Sequence, residues 1–283
     1  MLMLKPESNY NPEIMIFGGQ QVTANADSSL TACSESIRLS IRLPTPKTPS
    51  YSFGQWETEF MGSPRLMPDT VLLPNGFVII MNGAKQGLAG DSSSGGGGKA
   101  DNPNFFAEMY NPDAPSGQRW STMARSQIAR MYHSTAALTT NGTILVTGCD
   151  RCANLKSDLS FSAAAVKAEY RNEIFYPPFW YDFANKPSIV SSPQLIQYQR
   201  QFSVKFSGPG VSYAVLVAPS STTHSFNSNQ RVVKLVTSSI DQYSKTMVLV
   251  APPTANHAPP QMYMLFLVNG MTYSKATWVM LLA

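Results

Sequence analysis

The amino-acid sequence predicts an all-β protein in which blades of a β-propeller are followed by a β-sandwich. Composition is the first indication: only 13% of the 283 residues are charged, while the chain holds 21 prolines, 18 glycines and 11% aromatic residues. Many strands and turns with few solvated helices give such a composition. The other two indications are a repeated strand-turn-strand unit in the first half and a series of short alternating strands in the second.

The repeated unit is an apolar strand that runs into a glycine. It occurs three times, over residues 14–19, 71–83 and 136–148. The glycines that close the copies are spaced 65 residues apart, at Gly18, Gly83 and Gly148. In the second and third copies an Asn-Gly pair separates two apolar runs, which is a strong hairpin signal. Such units are typical of propeller blades, with insertions that stretch the usual period of about 40 to 50 residues.

Several segments between these units are predicted to be loops. Asp91–Lys99 is a glycine-rich insertion that lacks the Gly-Lys-Ser/Thr ending and the following helix of a phosphate-binding loop. Ser157–Glu169 has room for a short helical turn, and Tyr176–Trp180 contains two prolines that end any regular element. Cys149 and Cys152 form a C-x-x-C pair with no second pair, so a loop disulfide or two idle thiols is favoured over a zinc or redox site.

Short strands separated by turns replace the blade unit from Pro187 onward. The strands are predicted over Phe202–Phe206, Tyr213–Val217, Arg231–Val236, Met247–Val250, Met262–Val268 and Trp278–Leu282. This spacing suits a β-sandwich of about 95 residues. We therefore predict a propeller domain over residues 1–186 and a sandwich domain over residues 187–283.

Charge, hydropathy and the amino terminus exclude several classes of protein. The 21 basic and 17 acidic residues give a net charge of +4 without a dense Lys/Arg cluster, which argues against nucleic acid and anionic membranes as partners. No apolar run approaches the roughly 18 residues of a membrane span. Met1–Glu7 does not form a secretory signal, because its apolar stretch is short and is followed directly by Lys5 and Pro6.

Two of the three histidines lie in strings that indicate a metal site. His133 follows Tyr132 directly before a predicted strand, and His224 lies in a polar loop of the predicted sandwich. Such a loop can project into a neighbouring domain. Two neutral imidazoles and a phenolate form a mixed donor set that Cu(II) accepts. A single histidine is more often an ordinary hydrogen-bonded residue than a ligand, and His257 is predicted to be an ordinary turn residue.

Taken together, these strings resemble the carboxy-terminal part of the glyoxal oxidases, a branch of the copper radical oxidases related to galactose oxidase. The resemblance covers nearly the whole chain in order and is carried by Met61–Asp69, Asn82–Lys85, Ala129–Ser134, Glu169–Pro178, Thr223–Phe226, Asn229–Arg231 and Ala251–Pro253. Arg-Met-Tyr-His-Ser over residues 130–134 and Thr-His-Ser-Phe over residues 223–226 are specific. A hairpin with an Asn-Gly turn is not by itself specific to this family.

The resemblance implies a partial kelch-type propeller followed by an immunoglobulin-like early set sandwich, one loop of which brings a histidine to the propeller axis. It implies that Tyr132, His133 and His224 hold one copper ion, and that Tyr132 takes the substrate's proton. The implied reaction oxidises small aldehydes or primary alcohols with O2 and yields hydrogen peroxide. An extracellular location and a loop disulfide at Cys149 and Cys152 are implied as well.

The sequence departs from this family at the organic radical. Relatives carry it on a tyrosine that is cross-linked to a cysteine and lies in an Arg-Trp-Tyr-type motif. Here Arg119 and Trp120 are followed by Ser121, and the three cysteines lie at positions unlike that partner. Because the chain opens within what reads as a middle blade, we expect an amino-terminally truncated product. It should lack the radical pair, bind copper weakly, show no activity alone and leave blade edges unpaired.

A second class of function is a non-catalytic binding module, in which the blades and the sandwich recognise a cell-wall glycan or a protein partner. Exposed aromatic residues such as Trp180 and Tyr181 suit that role, although most aromatic residues pack in cores. A copper titration of the histidine variants distinguishes the two classes. Arg65 and Lys85 lie in loops that can flank the mouth of the site, where nothing local distinguishes them from surface charges.

Overall fold

Antiparallel β-sheets make up nearly all of the computed structural model, which describes residues 1–20, 30–89, 100–149 and 168–282. The helical elements in these ranges are two 3-10 turns, Pro6–Ser8 and Pro178–Tyr181. The predicted all-β fold class is therefore confirmed. The glycine-rich insertion and residues 157–167 of the predicted helical turn lie outside the described residues. None of the described helical segments has the length and apolarity needed to cross a membrane.

The first blade is a four-stranded antiparallel sheet. Its strands are β1 (Glu13–Phe17), β2 (Glu35–Arg42), β3 (Ser52–Phe53) and β4 (Glu57–Phe60). Strand β2 is central, since it pairs with β1 on one side and with β3 and β4 on the other. Ile14 and Ile16 of β1 are 38% and 51% exposed. Because β1 is an edge strand in the described part of the chain, this blade shows the unpaired edge expected of an open propeller.

The second blade is complete, with four strands and an additional hairpin. It comprises β5 (Asp69–Leu72), β6 (Val78–Met81), β7 (Ala84–Gly87), β8 (Ala100–Pro103), β9 (Phe106–Tyr110) and β10 (Trp120–Arg125). The order is β5-β6-β9-β10, while β7 and β8 pair with each other. The predicted Asn-Gly turn joins β5 to β6, and Gly76 there has a φ of +88°. This positive φ explains why glycine follows asparagine in the turn.

The third blade has three strands in the described residues and carries one of the candidate histidines directly before its first strand. The strands are β11 (Ser134–Leu138), β12 (Ile144–Gly148) and β13 (Glu173–Phe175), paired in that order. The second Asn-Gly pair turns the chain between β11 and β12, as predicted. The strands that lead into the repeated glycines are β1, β6 and β12. In the described residues β6 and β12 are each the second strand of their blade, whereas β1 is an edge strand.

Two sheets form the sandwich, and each predicted strand is found within two residues of its expected bounds. The strands are β14 (Ser188–Ser191), β15 (Leu195–Gln197), β16 (Gln201–Ser207), β17 (Tyr213–Val217), β18 (Thr222–Thr223), β19 (Phe226–Asn227), β20 (Val232–Lys234), β21 (Val236–Asp241), β22 (Thr246–Val250), β23 (Gln261–Asn269), β24 (Thr272–Tyr273) and β25 (Thr277–Leu282). One sheet has the order β14-β16-β22-β21 and the other the order β15-β25-β23-β17-β20, with β24 on β23. Strands β18 and β19 form a separate hairpin.

Strand β23 is buried on both faces, because its sheet packs against the other sandwich sheet and against the blades. Phe266 belongs to the hydrophobic core shared with the blades, whereas the adjacent Leu265 belongs to the core inside the sandwich. This two-sided burial accounts for the nearly uninterrupted apolar run over residues 262–268. Tyr273 continues the contact with the blades, where its hydroxyl donates to Gly142 O over 2.9 Å. The sandwich is therefore docked on the blades by a large apolar face.

The first residues of the chain connect the first blade to the sandwich through the backbone. Leu2 N donates to Glu13 O, and Leu4 N donates to Val232 O, each over 2.9 Å. Lys234 N in turn donates to Leu4 O over 2.9 Å, so Leu4 extends the sandwich sheet beside β20. This segment and the apolar face together position the β18–β19 hairpin against the blades.

Candidate metal centre

His133 occupies the last position before β11 and has an uncommon backbone conformation. Its φ is +60°, a left-handed conformation that turns the chain into the strand. The imidazole of His133 is exposed, whereas Ser134, the first residue of β11, is buried. The turn therefore presents this ring at the surface above a buried strand.

His224 lies at the tip of the β18–β19 hairpin. His224 and Ser225 have φ values of +51° and +63°, and two consecutive left-handed residues form the tight type of hairpin turn. The hairpin extends away from the sandwich and packs against β11 and β5 of the blades. Just beyond it, Gln230 Nε2 donates to Thr70 O of β5 over 2.9 Å. A sandwich loop thus reaches the blades, as expected from the sequence.

The two histidines meet although 91 positions separate them in the chain. Their Nε2 atoms are 2.8 Å apart, and the ring centroids lie 4.5 Å apart with the ring planes at 89°. Tyr132 completes the group: its ring stacks on His133 at 3.8 Å between centroids and lies 5.8 Å from the ring of His224. The structure thus brings the three residues singled out from the sequence into one cluster.

Hydrogen bonding orients the ring of His224. Its Nδ1 lies 2.7 Å from the Thr223 hydroxyl oxygen. When Nδ1 carries the proton and donates it to this hydroxyl, the lone pair of Nε2 is free to bind a metal. Sequence reasoning did not assign this role to Thr223, although a hydroxyl residue next to a candidate ligand is a usable signal.

A buried carboxylate ties the second blade to the third beneath His133. Asp69 Oδ2 accepts hydrogen bonds from Asn82 Nδ2 and from the Ser134 hydroxyl, each over 2.8 Å. Asp69 is 1% exposed, and its other oxygen has no partner among the described residues. Burial raises the pKa of Asp69 to about 6, although the two hydrogen bonds and the charge of Arg130 lower it. The bond to Ser134 fixes the residue that follows His133.

Arg130 supports the same turn from the other side. Its guanidinium donates to Gly148 O and to Arg171 O over 2.8 Å, and its Nε lies 2.9 Å from a carboxylate oxygen of Glu173. The residue is 2% exposed. Arg130 therefore joins the ends of β12 and β13 to the turn that carries His133, a function that the sequence string alone did not reveal.

The interpretation of Arg65 as indistinguishable from a surface charge is wrong. Arg65 is fully buried, donates to Asn82 O over 2.9 Å and pairs with Glu108 at 3.5 Å. Burial lowers its pKa to about 10, partly offset by the charge of Glu108. Lys85 is half-buried in β7. Arg65 thus supports the blade interior instead of flanking the mouth of the site.

Other candidate metal sites receive no support in the described part of the chain. Cys149 is disulfide-bonded, while Cys152 lies outside the described residues, and Cys33 is a free thiol. Among the described residues no three His, Cys, Asp or Glu side chains are placed to hold a metal ion. His257 lies in a turn, as predicted, where its Nδ1 is 2.9 Å from the Thr254 hydroxyl. The cluster of Tyr132, His133 and His224 is therefore the candidate to test.

The geometry of this cluster fits a copper ion. Two ligand nitrogens that are each about 2.0 Å from one metal and at right angles to each other lie about 2.8 Å apart. The two Nε2 atoms have that separation, which is also the length of an N–H···N hydrogen bond between a protonated and an unprotonated ring nitrogen. Two imidazoles with an adjacent phenol also match the donor types that Cu(II) accepts.

Comparisons with known protein families confirm the resemblance. The family described as Glyoxal oxidase N-terminus matches residues 1–179, and the one described as Galactose oxidase-like, Early set domain matches residues 186–281. The chain is 36% identical over 237 residues to "Aldehyde oxidase GLOX1" of Arabidopsis thaliana, an alignment that covers 79% of this chain and 37% of that protein. It is 38% identical over 236 residues to "Aldehyde oxidase GLOX" of Vitis pseudoreticulata, with 80% and 43% covered.

A solved structure supports the fold. The structure titled "Novel fungal alcohol oxidase with catalytic diversity among the AA5 family, in complex with copper" superposes with a TM-score of 0.74 over 100% of this chain and 53% of its own, at 18% identity. The chain thus spans less than half of the length of the two curated relatives and about half of the solved structure.

Proposed function

The chain belongs to the glyoxal oxidase family, and from that premise we propose that it holds the copper-binding part of an oxidase. The proposed reaction converts aldehydes or primary alcohols with O2 and releases hydrogen peroxide. The observation that carries this proposal is the 2.8 Å approach of His133 Nε2 to His224 Nε2 beside Tyr132. The names of the relatives agree with it, since two are called aldehyde oxidases and the solved structure is an alcohol oxidase in complex with copper.

Each residue of the cluster has a proposed role. His133 and His224 hold the copper ion through their Nε2 atoms, and the Thr223 hydroxyl keeps the proton of His224 on Nδ1. Bound copper supplies one-electron redox chemistry and polarises a coordinated alcohol or hydrated aldehyde oxygen. Tyr132 is the third ligand, and its phenolate oxygen accepts the proton of the substrate hydroxyl. The stack on His133 holds the Tyr132 ring in place.

The exposure of the cluster leaves it accessible to substrates from solvent. Both imidazoles are exposed and Tyr132 is half-buried in the described structure. Small aldehydes and primary alcohols can therefore approach the site. By the same family resemblance we infer an extracellular location and a division of the chain at residues 186 and 187.

We further infer that these 283 residues do not turn over substrate by themselves. The reaction removes two electrons, and copper accepts one of them, so a second acceptor is needed. Arg119 and Trp120 are followed by Ser121, and their place in the order fits a later segment than the family's Arg-Trp-Tyr string. Trp120 packs against Phe17 of the first blade and Tyr110 of the second. Cys149 is disulfide-bonded, and Cys33, although a free thiol, lies at a position unlike that of the family's cross-linked cysteine, so we expect neither to be the thioether partner of a radical tyrosine.

A copper titration tests the metal site. We expect one equivalent of Cu(II) to bind the purified chain, measured by calorimetry and by electron paramagnetic resonance with nitrogen hyperfine structure. His133→Ala and His224→Ala should each weaken binding by about a hundredfold or more, since each removes a ligand. His257→Ala is the matched control and should bind like the unaltered chain. Equal binding by all three variants, or no binding by the unaltered chain, contradicts the proposal and favours the binding-module class.

An activity assay tests the missing second acceptor separately. The copper-loaded chain is mixed with methylglyoxal or a primary alcohol, and hydrogen peroxide is measured with a peroxidase-coupled dye. We expect no peroxide above the level of free copper. Turnover that depends on His133 and His224 refutes the inference of inactivity while it leaves the copper site supported.

A further inference from the structure

A large cavity lies between the third blade and the sandwich, apart from the copper cluster. Its volume is about 1150 Å³, compared with roughly 300–1,000 Å³ for common small-molecule sites. One wall is the segment after β13, with Tyr176, Trp180 and Phe183, and the other is formed by the starts of β14 and β25, with Trp278. A cavity of this size accommodates an extended ligand.

One wall is a cluster of aromatic rings around Trp180. The ring centroids of Tyr176 and Phe183, which also line the cavity, lie 4.8 and 5.5 Å from that of Trp180. Trp180 is held by its indole N–H, which donates to Asn141 O over 2.9 Å. Phe183 and Trp278, which line the cavity, are nevertheless 63% and 42% exposed. Exposed apolar patches rimmed by polar groups are typical of binding sites.

The rest of the lining offers hydrogen bonds without negative charge. Among the described residues that line the cavity, hydroxyl and amide side chains are frequent and carboxylates are absent; examples are Thr139, Asn141, Thr143, Ser191 and Gln194. Sugar rings present apolar C–H faces and polar hydroxyl edges, so aromatic faces beside hydroxyl and amide groups match them well.

Two lysines add positive charge at the same cavity. Lys186 Nζ lies 4.1 Å from the centroid of the Trp180 ring and donates to Trp180 O over 3.4 Å. Burial, followed by the charge of Lys275, lowers the pKa of Lys186. The part of the chain that the structure describes gives neither ammonium group a carboxylate partner. An anion bound between them relieves this repulsion.

We propose that this cavity binds an acidic oligosaccharide, with sugar rings stacked on Trp180 and Trp278 and a uronate-type carboxylate between Lys186 and Lys275. The aromatic wall, the hydroxyl and amide lining and the paired lysines each match one part of such a ligand. A neutral glycan uses only the first two features, whereas a protein partner of aliphatic character uses none of the lysine charge. The site is independent of copper.

Binding of defined oligosaccharides tests this proposal. An oligogalacturonate of about five units and a neutral cello-oligosaccharide of equal length are titrated into the chain by calorimetry and by NMR. We expect the acidic oligomer to bind at least about tenfold more tightly and to weaken as salt rises, because the attraction is partly electrostatic. Trp278→Ala and Lys275→Gln should each weaken binding of the acidic oligomer by about fivefold or more.

Matched variants make the result interpretable. Tyr243, 99% exposed on a sandwich turn, and Lys205, exposed on β16, lie outside the cavity lining, so Tyr243→Ala and Lys205→Gln should leave binding unchanged. His224→Ala should also leave it unchanged, which separates this site from the copper cluster. The proposal is overturned if neutral and acidic oligomers bind equally, or if neither binds. It is also overturned if Trp278→Ala and Lys275→Gln both leave binding of the acidic oligomer unchanged, or if the chain self-associates and Trp278→Ala abolishes that association.

Discussion

The two loops that bring the candidate histidines together differ in how they are held. The turn of His133 rests on a buried base, in which Asp69, Arg130 and Ser134 are all at most 4% exposed and hydrogen-bonded to two blades. The hairpin of His224 is exposed along residues 223–226 and is held by its own turn and by a few contacts with β5 and β11. One candidate ligand is thus fixed by the fold of the blades and the other by docking of a loop.

This difference separates two kinds of mutational effect. Changes beneath His133 should act first on folding, because they leave buried polar groups without partners. Changes in the hairpin should act on metal affinity alone, because the fold does not depend on an exposed loop. Stability and copper binding measured on the same variants therefore show which of the two loops limits the site.

The largest effect is expected for Arg130→Ala. The change removes three hydrogen-bonded contacts of a buried guanidinium and leaves Gly148 O and Arg171 O without this donor, while Glu173 keeps the Ser126 hydroxyl. The free energy of unfolding should therefore fall by about 3–5 kcal/mol. Chemical denaturation measures it. The matched control is Arg171→Ala, which breaks an exposed pair with Glu169 and should change the stability far less. Equal losses contradict the proposed supporting role of Arg130.

A change at Gly148 should affect both stability and the metal site. Its φ is +73°, and an added Cβ lies 2.8 Å from His133 O, so Gly148→Ala strains the backbone and displaces the turn of His133. We expect a loss of about 3 kcal/mol and a copper affinity reduced about tenfold. Gly270 has a φ of +58° with open space around its Cβ position, so Gly270→Ala isolates the cost of the backbone conformation. Unchanged copper affinity in Gly148→Ala argues against this link.

Asp69→Asn should remove a pH dependence of stability. The pKa of Asp69 is raised from 3.8 to about 6 in the folded chain, so the folded state holds this proton more tightly than the unfolded state. Stability contributed by Asp69 is therefore present below pH 4 and is lost as pH rises to 6 and above. Compared with Asp69→Asn, the unaltered chain should lose roughly 2–3 kcal/mol between pH 4 and pH 7. Parallel pH profiles of the two proteins refute this expectation.

The smallest effect on stability is expected for Thr223→Val in the hairpin. Loss of the hydroxyl that faces His224 Nδ1 frees the ring to rotate and to change tautomer, which should reduce copper affinity by about tenfold. The melting temperature should not change, since Thr223 is exposed. Thr222→Val is the control on the same strand, because the Thr222 hydroxyl is buried without a partner among the described residues. Copper affinity should not respond to it.

Local patterns were sufficient to predict most of the fold. The sandwich strands follow from alternation such as Phe202, Val204 and Phe206, and the blade hairpins follow from Asn-Gly pairs between apolar runs. Both signals depend on neighbours in the sequence. The burial of Arg65 does not, because its carboxylate partner Glu108 is 43 positions away. Sequence reasoning therefore treated a buried ion pair as a surface charge.

The candidate site was predicted from a family resemblance and not from local patterns. Tyr132, His133 and His224 were identified because their strings match those of a family, and the distance between the histidines could not be obtained from either string. The residues that support them were missed for the same reason. Asp69 and Ser134 are 65 positions apart, and only the packing of the second blade against the third brings them together.

The backbone bonds of the first residues connect the blades to the sandwich through one short segment. Leu4 bonds to β20 in both directions while Leu2 bonds to the first blade, so withdrawal of the sandwich from the blades must break at least one of these two sets of bonds. Deuterium exchange at the amides of Leu2, Leu4 and Lys234 should therefore report when the two units separate and on which side the segment detaches. The measurement follows the docking of the candidate histidine pair and requires no metal.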